Sequence, residues 1–254
     1  MKTNTSDLVD KLAKEDVSIQ KPFQYEERDI TRICREYENF LACRKKESWP
    51  HTLPKKFMRQ KYDAEDITYF CAKQKPTPYG AYDMEALAFV NALVHRSKEG
   101  IIVIHLNNLI DENARFLSRT KKCILPELHV YGNLAEASCD QIMCSNIHIH
   151  GNVGHSFASR LQGNIVVHGN AEHQAGKDMR GGTLLIEGTA GEGFGDDAQA
   201  GIFYAKKVSA PLFGIGAAKG VEFHIDQVGK AFYDKSYHRE TNARIFVKGK
   251  EVFQ

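Results

Sequence analysis

The segments LHVYGN (128–133), IHIHGN (147–152), IVVHGN (165–170) and LLIEGT (184–189) align without a gap. Their glycines, Gly132, Gly151, Gly169 and Gly188, fall 19, 18 and 19 residues apart. A recurring unit of this length marks a repeat architecture, which takes precedence over any residue-by-residue reading. Inside each unit Leu128 and Val130, Ile147 and Ile149, Ile165 and Val167, and Leu184 and Ile186 alternate with period two and a β-branched bias. That pattern describes a strand with one face turned inward. A strand so short buries little alone. Stacking the copies about 4.8 Å apart pairs their backbones and closes a continuous apolar interior. The glycine after each strand is expected to supply a positive φ at a corner. Asn133, Asn152 and Asn170 are expected to stack beside it as an amide ladder ended by Thr189.

Outward from these strands, the rest of the unit keeps the same register. Gly154 matches Gly191, Gly176 matches Gly195, and Gly163 matches Gly182 and Gly201. Phe157, Ala175 and Phe194, followed by Leu161, Met179 and Ala198, supply a second wall. The leucine-rich repeat is the nearest rival, since Ile147, Ile149 and Asn152 fit its strand signature. Such repeats return through a helix, whereas the remainder here is AGKDMRGG or AGEGFGDD, glycine-rich and unsuited to one. The expected fold is therefore mainly β, a right-handed parallel β-helix of about four to six coils. The visible repeat covers roughly 124–226. It weakens at both ends, with Ala135 and Cys139 standing where glycines belong, and only Gly214, Gly216 and Gly220 persisting after Gly201.

An α-rich or α/β region, residues 1–100, precedes the β-helix and its capping segments, 101–254. Ile30, Ile33, Tyr37, Phe40 and Leu41 recur at helical spacing between Tyr25 and Lys46. Trp49-Pro50 and Leu53-Pro54 break that pattern, and the mixed stretch that follows ends in PTPYG (76–80). A helix over Met84–Ser97, capped by Asp83 and stopped at Gly100, comes next. IIVIHL (101–106) reads as a strand and Asp111–Arg119 as a helix. ARIFVKGKEVF (243–253) closes the far end, and the N-terminal helices close the near one.

A formal charge of +2, from 34 basic and 32 acidic residues, gives no electrostatic reason to expect nucleic acid or a membrane as partner. The basic cluster at 44–46 and 53–61 sits among acidic residues and reads as solvated surface. Met1–Gln20 is polar and lacks the apolar run of a signal peptide, which points to a cytoplasmic protein. Six cysteines contain no CxxC pair, so neither a zinc ribbon nor a redox motif is indicated.

The run GNAEHQAGKDMRGGTLLIEGTAGEGFGDDAQAG (169–201) resembles the GxGxG repeat of two families. These are the C-terminal domain of the glutamate synthase large subunit and the C subunit of formylmethanofuran dehydrogenase. The likeness rests on GN-A near 169–171, AG-xx-M-x-GG at 175–182 and EG-x-AG at 187–191, and covers about 100 residues. It implies a β-helix that braces catalytic partners, with no catalytic residue to carry over. NARIFV (242–247) is weakly similar to the closing coil of division-inhibitor proteins, which implies a β-helix interaction module.

Candidate chemistry concentrates in histidine columns. In this register His150 stacks under His168 with Glu187 one coil on, and His155 under His173 followed by Glu192. Two imidazoles and a carboxylate on neighbouring coils could hold a divalent metal with a position open for water. Outward ladders facing a partner need no metal. GTAGEGFG (188–195) lacks the lysine, hydroxyl and following helix of a phosphate loop. Cys139 and Cys144 could meet a base at His129 or His148, but small buried cysteines are commoner. The leading expectation is a non-catalytic scaffold, without a cofactor, that presents a rigid sheet face to another subunit or to itself. The alternative is a metal-dependent enzyme built on the histidine columns.

Overall fold

The computed structural model describes residues 28–44, 62–73, 84–95, 97, 100–105, 117, 127–143, 146–233 and 241–252. Eight strands stack in parallel and a ninth closes the sheet: β1 (Ile101–His105), β2 (Glu127–Tyr131), β3 (Ile147–His150), β4 (Gln162–Val167), β5 (Arg180–Ala190), β6 (Ala200–Val208), β7 (Glu222–Gln227), β8 (Arg244–Val247) and β9 (Lys250–Val252). Their order in the sheet is their order in the chain. That is the topology of a parallel β-solenoid, in which each coil pairs only with its neighbours.

The register pairs Leu128 with Ile147, Ile147 with Ile165, and Ile165 with Leu184. It also runs past the visible repeat at both ends, to Ile102 against Leu128 on one side and, through Phe203 and Phe223, to Ile245 on the other. The last coils lose the corner glycine after the strand but keep their inward positions apolar, which is what stacking requires. Phe203 and Phe223 stack at 4.8 Å, and Phe213 packs edge-on against Phe223 at 5.3 Å. Phe157, Phe194, Leu161 and Met179 are fully buried on the opposite wall.

The corner glycines have a different cause from the one expected. Gly132 has φ 129°, but Gly151, Gly169 and Gly188 are not in the left-handed region. What they provide is room. A β-carbon on Gly188 would lie 2.5 Å from Gly169 O, and β-carbons on Gly151 and Gly169 would run into Gly132 O and Gly151 O. The positive φ falls instead in the turn after each corner. Cys139, Ala158, Gly176, Gly195 and Gly214 form one column with φ between 55° and 73°. The last four each donate N–H to the preceding coil, at 2.8–2.9 Å, through Ser138 O, Phe157 O, Ala175 O and Phe194 O. Cys139 and Ala158 accept a left-handed backbone that costs a non-glycine residue about 1–2 kcal/mol. In this way the weak early coils keep the shape of the later ones.

One side-chain ladder and one ion pair also tie coil to coil. Asn152 N–H donates to Asn133 Oδ1, Asn170 N–H to Asn152 Oδ1, and Thr189 N–H to Asn170 Oδ1, each at 2.8 Å. Each side chain therefore satisfies the backbone one coil ahead. On the turn wall Arg160 grips the carboxylate of Asp140 with Nη2, at 2.8 and 2.6 Å.

Helix α1 (Thr31–Arg44) starts where Thr31 N–H donates to Asp29 Oδ1. Helix α2 (Ala64–Lys73) lies in the stretch that sequence reading left without an element. Its signals were present, in Ile67, Phe70 and Cys71 at helical spacing with Glu65 and Asp66 in the first turn. Helix α3 (Met84–His95) brings Phe89 against Tyr37, Phe40 and Phe70, at 5.0, 5.7 and 5.8 Å. Val103 N–H on the edge strand β1 donates to Thr68 Oγ1 of α2. The N-terminal edge is thus met by a helix. At the other end β9 pairs antiparallel with β8 through a two-residue turn, Lys248-Gly249, with φ 50° and 72°. Asp83, Trp49-Pro50, Leu53-Pro54, PTPYG and the basic segment 53–61 lie outside the described residues. Of the helix expected over Asp111–Arg119 only Leu117 is described, and its φ of 50° is not that of a right-handed helix.

Gly169→Ala should lower unfolding stability by about 1–3 kcal/mol, because its neighbour is backbone and cannot step aside. Gly229, with nothing within 4 Å of an added β-carbon, is the control, and Gly229→Ala should stay within about 0.5 kcal/mol in urea denaturation. Lys248→Asn should raise stability by roughly half a kcal/mol, since asparagine tolerates the left-handed first position of this hairpin turn.

Candidate functional site on the outer sheet face

Residues that alternate with the buried aliphatics point out of the solenoid, and the parallel register arranges them in columns. The first contains Val103, His129, His148, Val166, Leu185, Tyr204, His224 and Phe246. The second begins with His105, Tyr131 and His150 and continues with His168 and Glu187, the residues after the paired Val167 and Ile186. Strand spacing sets the ring spacing. Centroids of Tyr131 and His150 are 4.1 Å apart, those of His150 and His168 4.5 Å, and those of His129 and His148 4.7 Å, all stacked with planes 7–11° from parallel.

Carboxylates fix the tautomers at both ends of this patch. Glu187 Oε2 lies 2.9 Å from His168 Nδ1, which therefore carries the proton and donates it. Glu127 Oε1 accepts from His129 Nε2 at 2.8 Å. His129 Nδ1 is then left as an acceptor, and His150 Nε2–H donates to it at 3.1 Å. The result is a Glu127–His129–His150 relay. It spans two strands, and its central ring is only 1% exposed.

The two columns singled out from sequence fare differently. His150, His168 and Glu187 come together, with the two rings stacked at 4.5 Å and His168 bonded to Glu187. His155 and His173 lie in the turn wall with centroids 6.1 Å apart at 60°, and His173 and Glu192 are exposed. Among the described residues, one group of three places its ligand atoms all within 4.8 Å of one another: Glu127, His129 and His148. Sequence reading passed over Glu127 and treated His129 only as a possible base. The signal was the alternation E-x-H in 127–129, which puts both on one face, in register with His148.

Among the described residues, the remaining sequence candidates are corner, turn and core positions. Gly188 and the following Ala190 lie in β5, and Gly193 and Gly195 are turn residues with φ near 70°. No helix follows them, so the segment cannot cradle a phosphate in the manner of a P-loop. Cys139 is fully buried; Cys144 lies outside the described residues. Cys71 is buried in α2, and loss of solvation pushes its thiol up to about 12.

Comparison with family models, with curated proteins and with solved structures returns no match. Among the described residues no helix is long and apolar enough to cross a membrane. Fold and site together define a parallel β-solenoid that carries an imidazole–carboxylate patch on its outer sheet face.

Burial holds the pKa of His105, at the N-terminal end of the second column, below its ordinary value near 6.5. The folded state therefore binds this proton less readily than the unfolded chain. Its contribution to stability is complete above about pH 6.5 and declines as pH falls below that value. His105→Gln should make the melting temperature less sensitive to acidification between about pH 7 and about pH 5. Thermal melts across that range check this.

Proposed function

We propose that this chain is a non-catalytic assembly protein whose outer sheet face docks against protein, a second copy of the chain being the occupant. The observation that carries this reading is the run of stacked rings along one flat face. Tyr204 and His224 lie 4.8 Å apart, and His224 and Phe246 4.6 Å apart. Arg244 sits 4.8 Å over the Phe246 ring while bonding Glu222 and Glu251. Aromatic and amphipathic side chains held rigid by a sheet are the residues that interfaces favour. The sheet edges are poorly suited to the task. One is met by α2 and the other is the short β9, which leaves the late part of the outer face, where Tyr204, His224 and Phe246 are half-buried, as the surface on offer.

Two further features support a second copy. A net charge of +2 brings little repulsion between identical chains. Carboxylates also lie beside imidazoles on this face, Glu127 by His129, Glu187 by His168 and Glu222 by His224, so a two-fold pairing can set one against the other. The resemblance of residues 169–201 to GxGxG domains that brace other subunits points the same way. Size-exclusion chromatography with light scattering should return twice the chain mass for the wild-type protein. Tyr204→Asp combined with His224→Asp should return a monomer with an unchanged circular dichroism spectrum. A wild-type protein that is monomeric at every concentration would overturn self-pairing.

A further inference from the structure

We propose that Glu127, His129 and His148 form a binding site for one zinc-class divalent ion, with His150 as the partner that orients it. The proposal rests on geometry that scaffolding does not require. Glu127 and His129 are two residues apart on β2, so both point outward, and His148 occupies the paired position on β3. Their ligand atoms already lie within 4.8 Å of one another. An imidazole, a second imidazole and a carboxylate on neighbouring coils make the three-ligand set that zinc accepts, with its fourth position open to water or a small anion.

The existing hydrogen bonds supply the second layer that such sites need. In the metal-free state His129 Nε2–H donates to Glu127, and His150 Nε2–H donates to His129 Nδ1. The ion takes the place of the proton between Glu127 Oε1 and His129 Nε2. His129 then carries its proton on Nδ1 and donates it to His150 Nε2, while His150 moves its own proton to Nδ1. Both imidazoles stay neutral and no proton is lost overall. A metal-bound imidazole whose other nitrogen donates to a fixed acceptor is held in tautomer and orientation. His148, now stacked 10° from parallel to His129, turns about its ring bond to bring a nitrogen into line. The ion enters from the Glu127 side, because that side chain is 38% exposed while His129 is 1% exposed.

This site differs from the histidine columns expected from sequence. It uses β2 and β3, and it leaves His168 with Glu187. It is also independent of self-pairing, since its ligands lie on the early coils and the Tyr204–Phe246 run lies on the late ones.

The test uses the full chain without a histidine tag, stripped with chelator and titrated with Zn²⁺ by calorimetry and with Co²⁺ by visible absorption. One equivalent should bind, and cobalt should show the intense d–d bands of a tetrahedral site. Glu127→Gln and His148→Ala should each weaken binding at least tenfold, and His150→Gln should weaken it about 10–100-fold by removing the orienting partner. His173→Ala should change nothing. These variants spare the buried His129 ring, and circular dichroism checks that each remains folded. Absence of a stoichiometric ion, binding that survives both Glu127→Gln and His148→Ala, or equal loss in His173→Ala would overturn the site.

Discussion

Everything in this molecule depends on how closely one coil can lie on the next. Backbone pairing between parallel strands holds successive coils about 4.8 Å apart. At the corners, a β-carbon at Gly151, Gly169 or Gly188 would enter the carbonyl of the coil below. Glycine at these positions is a demand for space rather than for conformation. Once the corners close, each Asn side chain reaches the backbone N–H one coil ahead, and the inward aliphatics fall into continuous columns.

The same spacing creates the outer face. Rings placed at equal heights on adjacent parallel strands have no choice but to stack, which is why Tyr131, His150 and His168 stand parallel. Stacking alone does not make a metal site; three ligand atoms must also come together, as those of Glu127, His129 and His148 do within 4.8 Å. Convergence comes from the partner two residues away on the same strand. Glu127 reaches across to His129, and His150 reaches back from β3, so that one buried ring is addressed from both sides. The patch therefore combines a rigid frame with one locally directed constellation. The aromatic run on the late coils shares the frame and lacks such convergence.

Capping confines where partners can bind. A solenoid with open ends offers unpaired backbone at both, and such edges invite indefinite stacking. Here the edge amide of Val103 is taken by Thr68 of α2, and β9 turns back antiparallel through Lys248-Gly249. Growth along the axis is thereby discouraged at both ends. Within the helical cap, Arg28 ahead of α1 ties to Asp66 and Glu65 on α2.

Much of this was legible in the order of residues. Glycines 18 or 19 apart and period-two aliphatics specify parallel stacking, because no other arrangement buries strands so short. The outer columns and the Asn ladder follow from that register by counting. Other features could not be counted. Coils after Gly201 lose the glycine signature and are recognised only by where Phe203, Phe223 and Ile245 pack. Helix α2 earned its place from burial against β1, although its own apolar spacing was available to be read. The left-handed turn column is disguised by Cys139 and Ala158, since a residue's name does not report its φ. Which histidines converge was decided by the tertiary structure, because ring direction depends on hydrogen bonds between strands. A sequence period supplies the height of each side chain and leaves open where its nitrogen points.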